Sequence, residues 1–185
     1  MHFANHSNLE GLHAPFSPSQ PYWLRYDDER LLEFLTTQRA AQKGTELHEW
    51  AKRTIELGLT QSKSEQTIFM YVNDALRFHM KPEQPLVYSA NCWGTADAIT
   101  FNKNVLRIHD LITGVGKVHR EQLEVYAALF CLEYHKNPMD IRIILRIYQN
   151  NAIDEWEPDP DVITHNMDRI IYIDRFKREF DGEED

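Results

Sequence analysis

Two β-prone runs with a short polar break between them constrain this chain most. Gly94-Thr95-Ala96-Asp97-Ala98-Ile99-Thr100-Phe101 comes first, then Asn102-Lys103-Asn104, then Val105-Leu106-Arg107-Ile108-His109-Asp110-Leu111. Their period-2 patterning predicts a hairpin that carries two carboxylates. Pairing Phe101 with Asn104 puts Asp97, Ile99 and Phe101 on one face with Leu106, Ile108 and Asp110. Ala96, Ala98 and Thr100 then share the other with Val105, Arg107 and His109. A slip of one residue would oppose Ile99 and Phe101 to Arg107 and His109, so the apolar pattern selects this register. In it Asp97 lies diagonally across from Asp110, about 7 to 8 Å away between backbones. Two such acids hold a hard divalent cation, and Asp110 closes a buried run where a carboxylate needs a partner. The plain alternative is a pair of ordinary strand-end aspartates.

The 185 residues, 42% hydrophobic and 26% charged, suit one domain with a sizeable core. We expect it over 21–180, between a flexible polar segment at 1–20 and an acidic tail at 181–185. No apolar run reaches membrane-spanning length and no signal-peptide pattern opens the chain, so no membrane partner and a cytoplasmic setting are expected. Cys92 and Cys131 cannot form a disulfide framework or a four-cysteine iron-sulfur cluster. A formal net charge of −9 argues against a generic basic nucleic-acid coat protein. Any DNA-binding surface must be local. Arg25, Arg30, Arg39, Lys43, Lys52 and Arg53 form one candidate patch, although most read as a solvated helix face.

Elsewhere the patterning predicts helices over 29–38, from Thr45 onward, over 64–80 and over 120–134. Lys81-Pro82-Glu83-Gln84-Pro85 reads as a break before a short strand at 86–90. A strand follows over 141–148, with Arg142 and Arg146 toward solvent or a DNA groove, and Asp159-Pro160 caps a closing helix. Glu46, Glu49 and Glu83 read as surface acids. This order implies an α/β domain with a mixed central sheet flanked by helices.

Several phrases together resemble the RecB-like branch of the PD-(D/E)XK nucleases, over about Ser17 to Gln149. They are Gly44-Thr45-x-x-His48, Gly94-x-x-Asp97, Asp110 followed by Thr113-Gly114, and Gln122-x-x-x-Tyr126. The likeness is nearest to phage-encoded and CRISPR-associated exonucleases. It implies a restriction-endonuclease-like fold and hydrolysis of DNA phosphodiesters in recombination, repair or replication, in a bacterial or phage-infected cell. It also implies magnesium or manganese held by His48, Asp97, Asp110 and the Leu111 carbonyl. A histidine ligand favours manganese. Gln122 and Tyr126 would orient the acids and touch DNA, and recombination or replication proteins are the implied partners.

One departure stands out, because the resemblance calls for Asp-x-Lys-Thr-Gly and this chain reads Asp110-Leu111-Ile112-Thr113-Gly114. Isoleucine neither positions a water nor offsets charge on a phosphate. Lys117 is the nearest cation downstream, on a glycine-containing loop that preorganises it poorly. Two alternatives therefore remain: a catalytically silent DNA- or partner-binding module on a nuclease fold, and, fitting less well, a sugar-chain hydrolase using the two acids.

Overall fold

The structure, a computed structural model, describes Phe16, Pro18 and residues 21–114 and 119–182. Two compact units make up the chain, Met1–Gly44 and Thr45–Asp185. The expected segment at 1–20 and the acidic tail fall mostly outside the described residues. Within the first unit Phe16 packs against Trp23 and Phe34, each ring pair 5.5 Å apart, and Tyr26 packs against Phe34.

Helix α1 is Asp28–Glu56. The Asp27 carboxylate accepts the Arg30 N–H at 2.8 Å and caps it. The sequence predicts two helices here, but α1 continues through Gly44. One glycine in a helix interior costs only about 1 kcal/mol relative to alanine, too little to force an end.

The second unit holds α2 (Thr67–Arg77), β1 (Lys81–Ser89), β2 (Cys92–Asn102), β3 (Val105–Leu111), α3 (Arg120–Glu133), β4 (Arg142–Gln149), β5 (Ala152–Trp156) and α4 (Pro160–Asp181). The strands form one sheet in the order β1-β2-β3-β4-β5. Three neighbouring pairs are antiparallel, and β3 with β4 is parallel, with α3 as the crossover between them. The fold is therefore α/β, with a mixed sheet flanked by helices.

Two departures from the sequence reading have clear causes. Lys81–Pro85 belongs to β1 instead of breaking the chain, because β1 is an edge strand, where proline's missing N–H is tolerated. Strand β5 was not anticipated. Asn150 and Asn151, with φ of 50° and 57°, make the tight turn that returns β4 into it.

Apolar clusters lie on both faces of the sheet. One joins Leu123, Ala127 and Phe130 of α3 and Ile163 of α4 to Leu106, Ile108, Leu145 and Ile147. The other joins Ala51 and Ile55 of α1 and Tyr71, Val72 and Ala75 of α2 to Ala98, Leu111 and Tyr148. Strands β3 and β4, buried on both sides, read accordingly as nearly continuous apolar runs.

Asp174 of α4 anchors the β1–β2 turn. Its side chain is fully buried and accepts from Ser89 Oγ at 2.5 Å, Asn91 Nδ2 at 3.2 Å and Arg178 Nη2 at 2.6 Å. The Ser89 hydroxyl, with Arg178 and Asn91, holds its carboxyl below the usual range. A depressed carboxyl stabilises above the unfolded value near pH 4 and loses that contribution as pH falls through the lower folded value. Asp174→Ala should therefore cost roughly 2 to 3 kcal/mol in urea unfolding at pH 7, with the deficit shrinking below pH about 4. An unchanged midpoint would mean that water replaces the carboxylate at no cost.

Candidate metal centre

A turn brings the two aspartates together. Lys103 and Asn104 have φ of 49° and 60°, the both-positive pattern of a two-residue hairpin loop whose twist matches its strands. Pairing then runs Asn102 with Val105, Phe101 with Leu106, Ile99 with Ile108 and Ala98 with His109. The register read from sequence had the right parity but lay two residues away, with the loop at Asn102-Lys103. Asn104 is among the residues that best tolerate a left-handed backbone, and the turn moves onto it. The antiparallel ladder ends at Ala98–His109, so Asp97 and Asp110 both sit just beyond its last pair. Here the Leu111 N–H donates to Asp97 Oδ2 at 2.8 Å.

The strict alternation assumed for β2 also fails at this point. Ala96 and Ile99 join the same apolar cluster while Ala98 joins the other, so the facing pattern changes phase around Asp97. β1 has its own irregularity at the same level. Glu83 has a φ of 49° and lies between the pairs Pro82–Ala98 and Gln84–Ala96, which sets it opposite Asp97. A non-glycine residue held there costs on the order of 1 to 3 kcal/mol, the kind of strain that gathers at functional sites.

His48, from α1, completes the group, with Nδ1 3.5 Å from Asp97 Oδ2. One ligand atom each from His48, Glu83 and Asp97 lies within 4.8 Å of the others. Of the ligands expected from sequence, His48 and Asp97 thus come together, with Asp110 as Asp97's neighbour. The described link from Leu111 is its N–H, not the carbonyl. Glu83, read as a surface acid, belongs to the cluster, whereas Glu46 and Glu49 are exposed as expected.

Burial lifts the Asp97 carboxyl above its ordinary range; the Leu111 N–H opposes the rise and Glu83 adds to it. Burial also lifts Asp110, the charge of Asp97 adds to the rise, and His48 opposes it. Tyr71 of α2 is 3% exposed, and its hydroxyl is pushed up first by burial, then by Asp97, Glu83 and Asp110. Nothing in the sequence marks that tyrosine.

Gln122 and Tyr126 also reach the site. Burial raises the Tyr126 hydroxyl, a hydrogen bond with Gln122 opposes the rise, and the charges of Asp110, Asp97 and Glu83 add to it. Gly94 explains how the ring gets there: a Cβ at that position would lie 2.8 Å from Tyr126 Cε1. Ile112 is half-buried against the same apolar cluster as Tyr126, and its N–H donates to the Tyr148 carbonyl at 2.9 Å. Lys117 lies outside the described residues.

The arginines of β4 do not present free charge to a DNA groove. Arg142 pairs with Glu157, while Arg146 is held by Asp74 and Glu155 and donates to the Tyr148 hydroxyl at 3.1 Å. His109, fully buried, has Nδ1 3.2 Å from that hydroxyl; burial, then Arg146 and Arg107, push its pKa down to about 3.

No family model and no curated protein matches the chain. One solved structure, "Crystal structure of SSO0001", is similar at 14% identity over 71% of this chain and 87% of that one, with a TM-score of 0.30.

Two expectations follow from the acids. Carboxyls raised in the folded protein leave stability intact below the unfolded value near pH 4 and withdraw it as pH rises through the folded value. Without added cation, Asp110→Asn should therefore be more stable than the parent at pH 8, by on the order of 1 to 3 kcal/mol, and level with it near pH 4. Manganese should reverse the order at pH 8, as read by urea unfolding. Glu83→Gly relieves the left-handed backbone and deletes a donor together. It should raise stability by about 1 kcal/mol while weakening manganese binding by calorimetry, and a variant that loses stability would show the φ at Glu83 to be unstrained.

Proposed function

We propose that this chain is a divalent-metal-dependent deoxyribonuclease of the PD-(D/E)XK, RecB-like type, slowed by Ile112. The observation that carries this reading is the gathering of buried Asp110 and half-buried Asp97, with His48 and Glu83 beside Asp97. Two carboxylates so close resist joint ionisation unless a cation offsets them. The mixed sheet flanked by helices is compatible with that fold, and the order of the motifs along the chain supports it.

The donor set fits the ion. His48, Glu83 and Asp97 offer one imidazole nitrogen and two carboxylate oxygens, a mixture that suits manganese better than magnesium. When bound, such an ion lowers the pKa of a coordinated water and offsets phosphate charge. The chain's own groups supply the remainder. Leu111 N–H fixes the Asp97 carboxylate, and the Asp110 carboxylate beside it supplies a further oxygen to the ion. Tyr126, steadied by Gln122, offers a hydroxyl to a DNA phosphate beside the acids.

Ile112 offers no donor to that phosphate. Loss of one transition-state donor costs about 10²- to 10³-fold in rate, so ion binding survives while turnover falls. A second reading, the silent DNA- or partner-binding module, draws its support from Ile112 packing against apolar neighbours where a lysine is expected.

Cleavage of end-labelled DNA in manganese separates the two. Ile112→Lys should cut about 10²-fold or more faster than the parent, and Ile112→Lys combined with Asp110→Ala should not cut. If the lysine variant binds manganese and leaves DNA intact, the silent module is the correct reading.

A further inference from the structure

A cavity of about 350 Å³ opens between β1, β2 and the C-terminal end of α3. Leu86, Ile99 and Phe130 give it an apolar floor, and His79, Lys81 and Tyr134 also line it. Its aromatic groups form a run. Phe101 and Phe130 have centroids 5.1 Å apart, Phe130 and Tyr134 4.9 Å, and Tyr134 is 45% exposed. Lys136 Nζ stands 5.5 Å from the Phe101 ring centre.

Charge complements this platform. Arg120, Arg142, Arg146 and Arg178 are each held by a carboxylate. Lys81 and Lys136, among the described residues, take part in no ion pair. Free ammonium groups beside exposed ring faces suit a ligand that has a flat π-system and a negative charge within one residue's reach. A nucleotide unit of a single strand has both, whereas a base paired in a duplex must first be unstacked and unpaired, at a cost of about a few kcal/mol.

The cavity also lies close to the acids along both strands. Lys81 is two residues from Glu83 on β1, and Ile99 two from Asp97 on β2, one strand repeat of about 6 to 7 Å. We infer that this cavity seats an unpaired base of a single-stranded nucleic acid on Tyr134 and Phe101, with Lys81 and Lys136 taking its phosphate. The inference rests on the nuclease reading for its choice of polymer, and it makes that nuclease one for single strands or frayed ends.

The test is fluorescence anisotropy in chelator, so that no strand is cut. Its probes are a labelled oligothymidylate of about 12 nucleotides, the same strand in a duplex, and an oligouridylate. The parent should prefer a single strand over the duplex, and the tighter of the two single strands identifies the sugar. Tyr134→Leu should weaken that binding roughly 5- to 100-fold, while Tyr134→Phe keeps it. Lys81→Gln should lower the slope of log affinity against log salt by about 1. Matching urea midpoints establish that the variants are folded. Duplex bound as tightly as single strand, or Tyr134→Leu binding as the parent does, overturns the inference. If Ile112→Lys never cuts and this pattern holds, the nuclease reading fails and the base site stands; if it cuts and Tyr134 is silent, the base site alone falls.

Discussion

Asp97 and Asp110 come together just beyond the last pair of the β2–β3 ladder in a mostly buried setting, and much of the surrounding structure answers that repulsion. The Leu111 N–H turns toward one acid, and His48 comes within 3.5 Å of it. Glu83 adds negative charge where charge already costs most. A third carboxylate beside two buried ones makes little sense as a device for stability. On the metal-dependent reading proposed above, it is a basket of oxygens whose repulsion a cation would relieve.

The interplay of Gly94 and Tyr126 gives two separate sequence motifs one physical cause. Gly-x-x-Asp needs its glycine because the ring of Gln-x-x-x-Tyr lies where a Cβ would be. The glycine lets α3 approach β2, and the approach carries a hydroxyl and its amide partner to the acids. The placement of the Tyr126 ring thus depends on a single missing methyl group.

Much of this was legible in the sequence. Period-2 patterning located β2 and β3, helical spacing located α3, and Asp159-Pro160 marked the start of α4. The acids, His48, Gln122 and Tyr126 all meet around one site. What escaped was set by tertiary context. Pro82 and Pro85 look like a break until one knows that β1 lies at the sheet's edge, and misreading them moved Glu83 out of the strand. Alternation alone gives no sign of the change of phase at Asp97. The two-residue error in register came from placing the turn one residue early, where only backbone twist decides. Arg142 and Arg146 looked free because their carboxylate partners lie on other elements, and Tyr71 carries no local signature.

The outermost strands have a consequence for how the molecule behaves in a crowd. β1 offers a growing sheet two prolines and a left-handed residue, while β5 has only five residues, with Asp154 and Glu155 tied to arginines. Neither rim gives a foreign strand a long straight row of backbone donors and acceptors. Both edges of the sheet thus resist fibrillar growth by their own sequence.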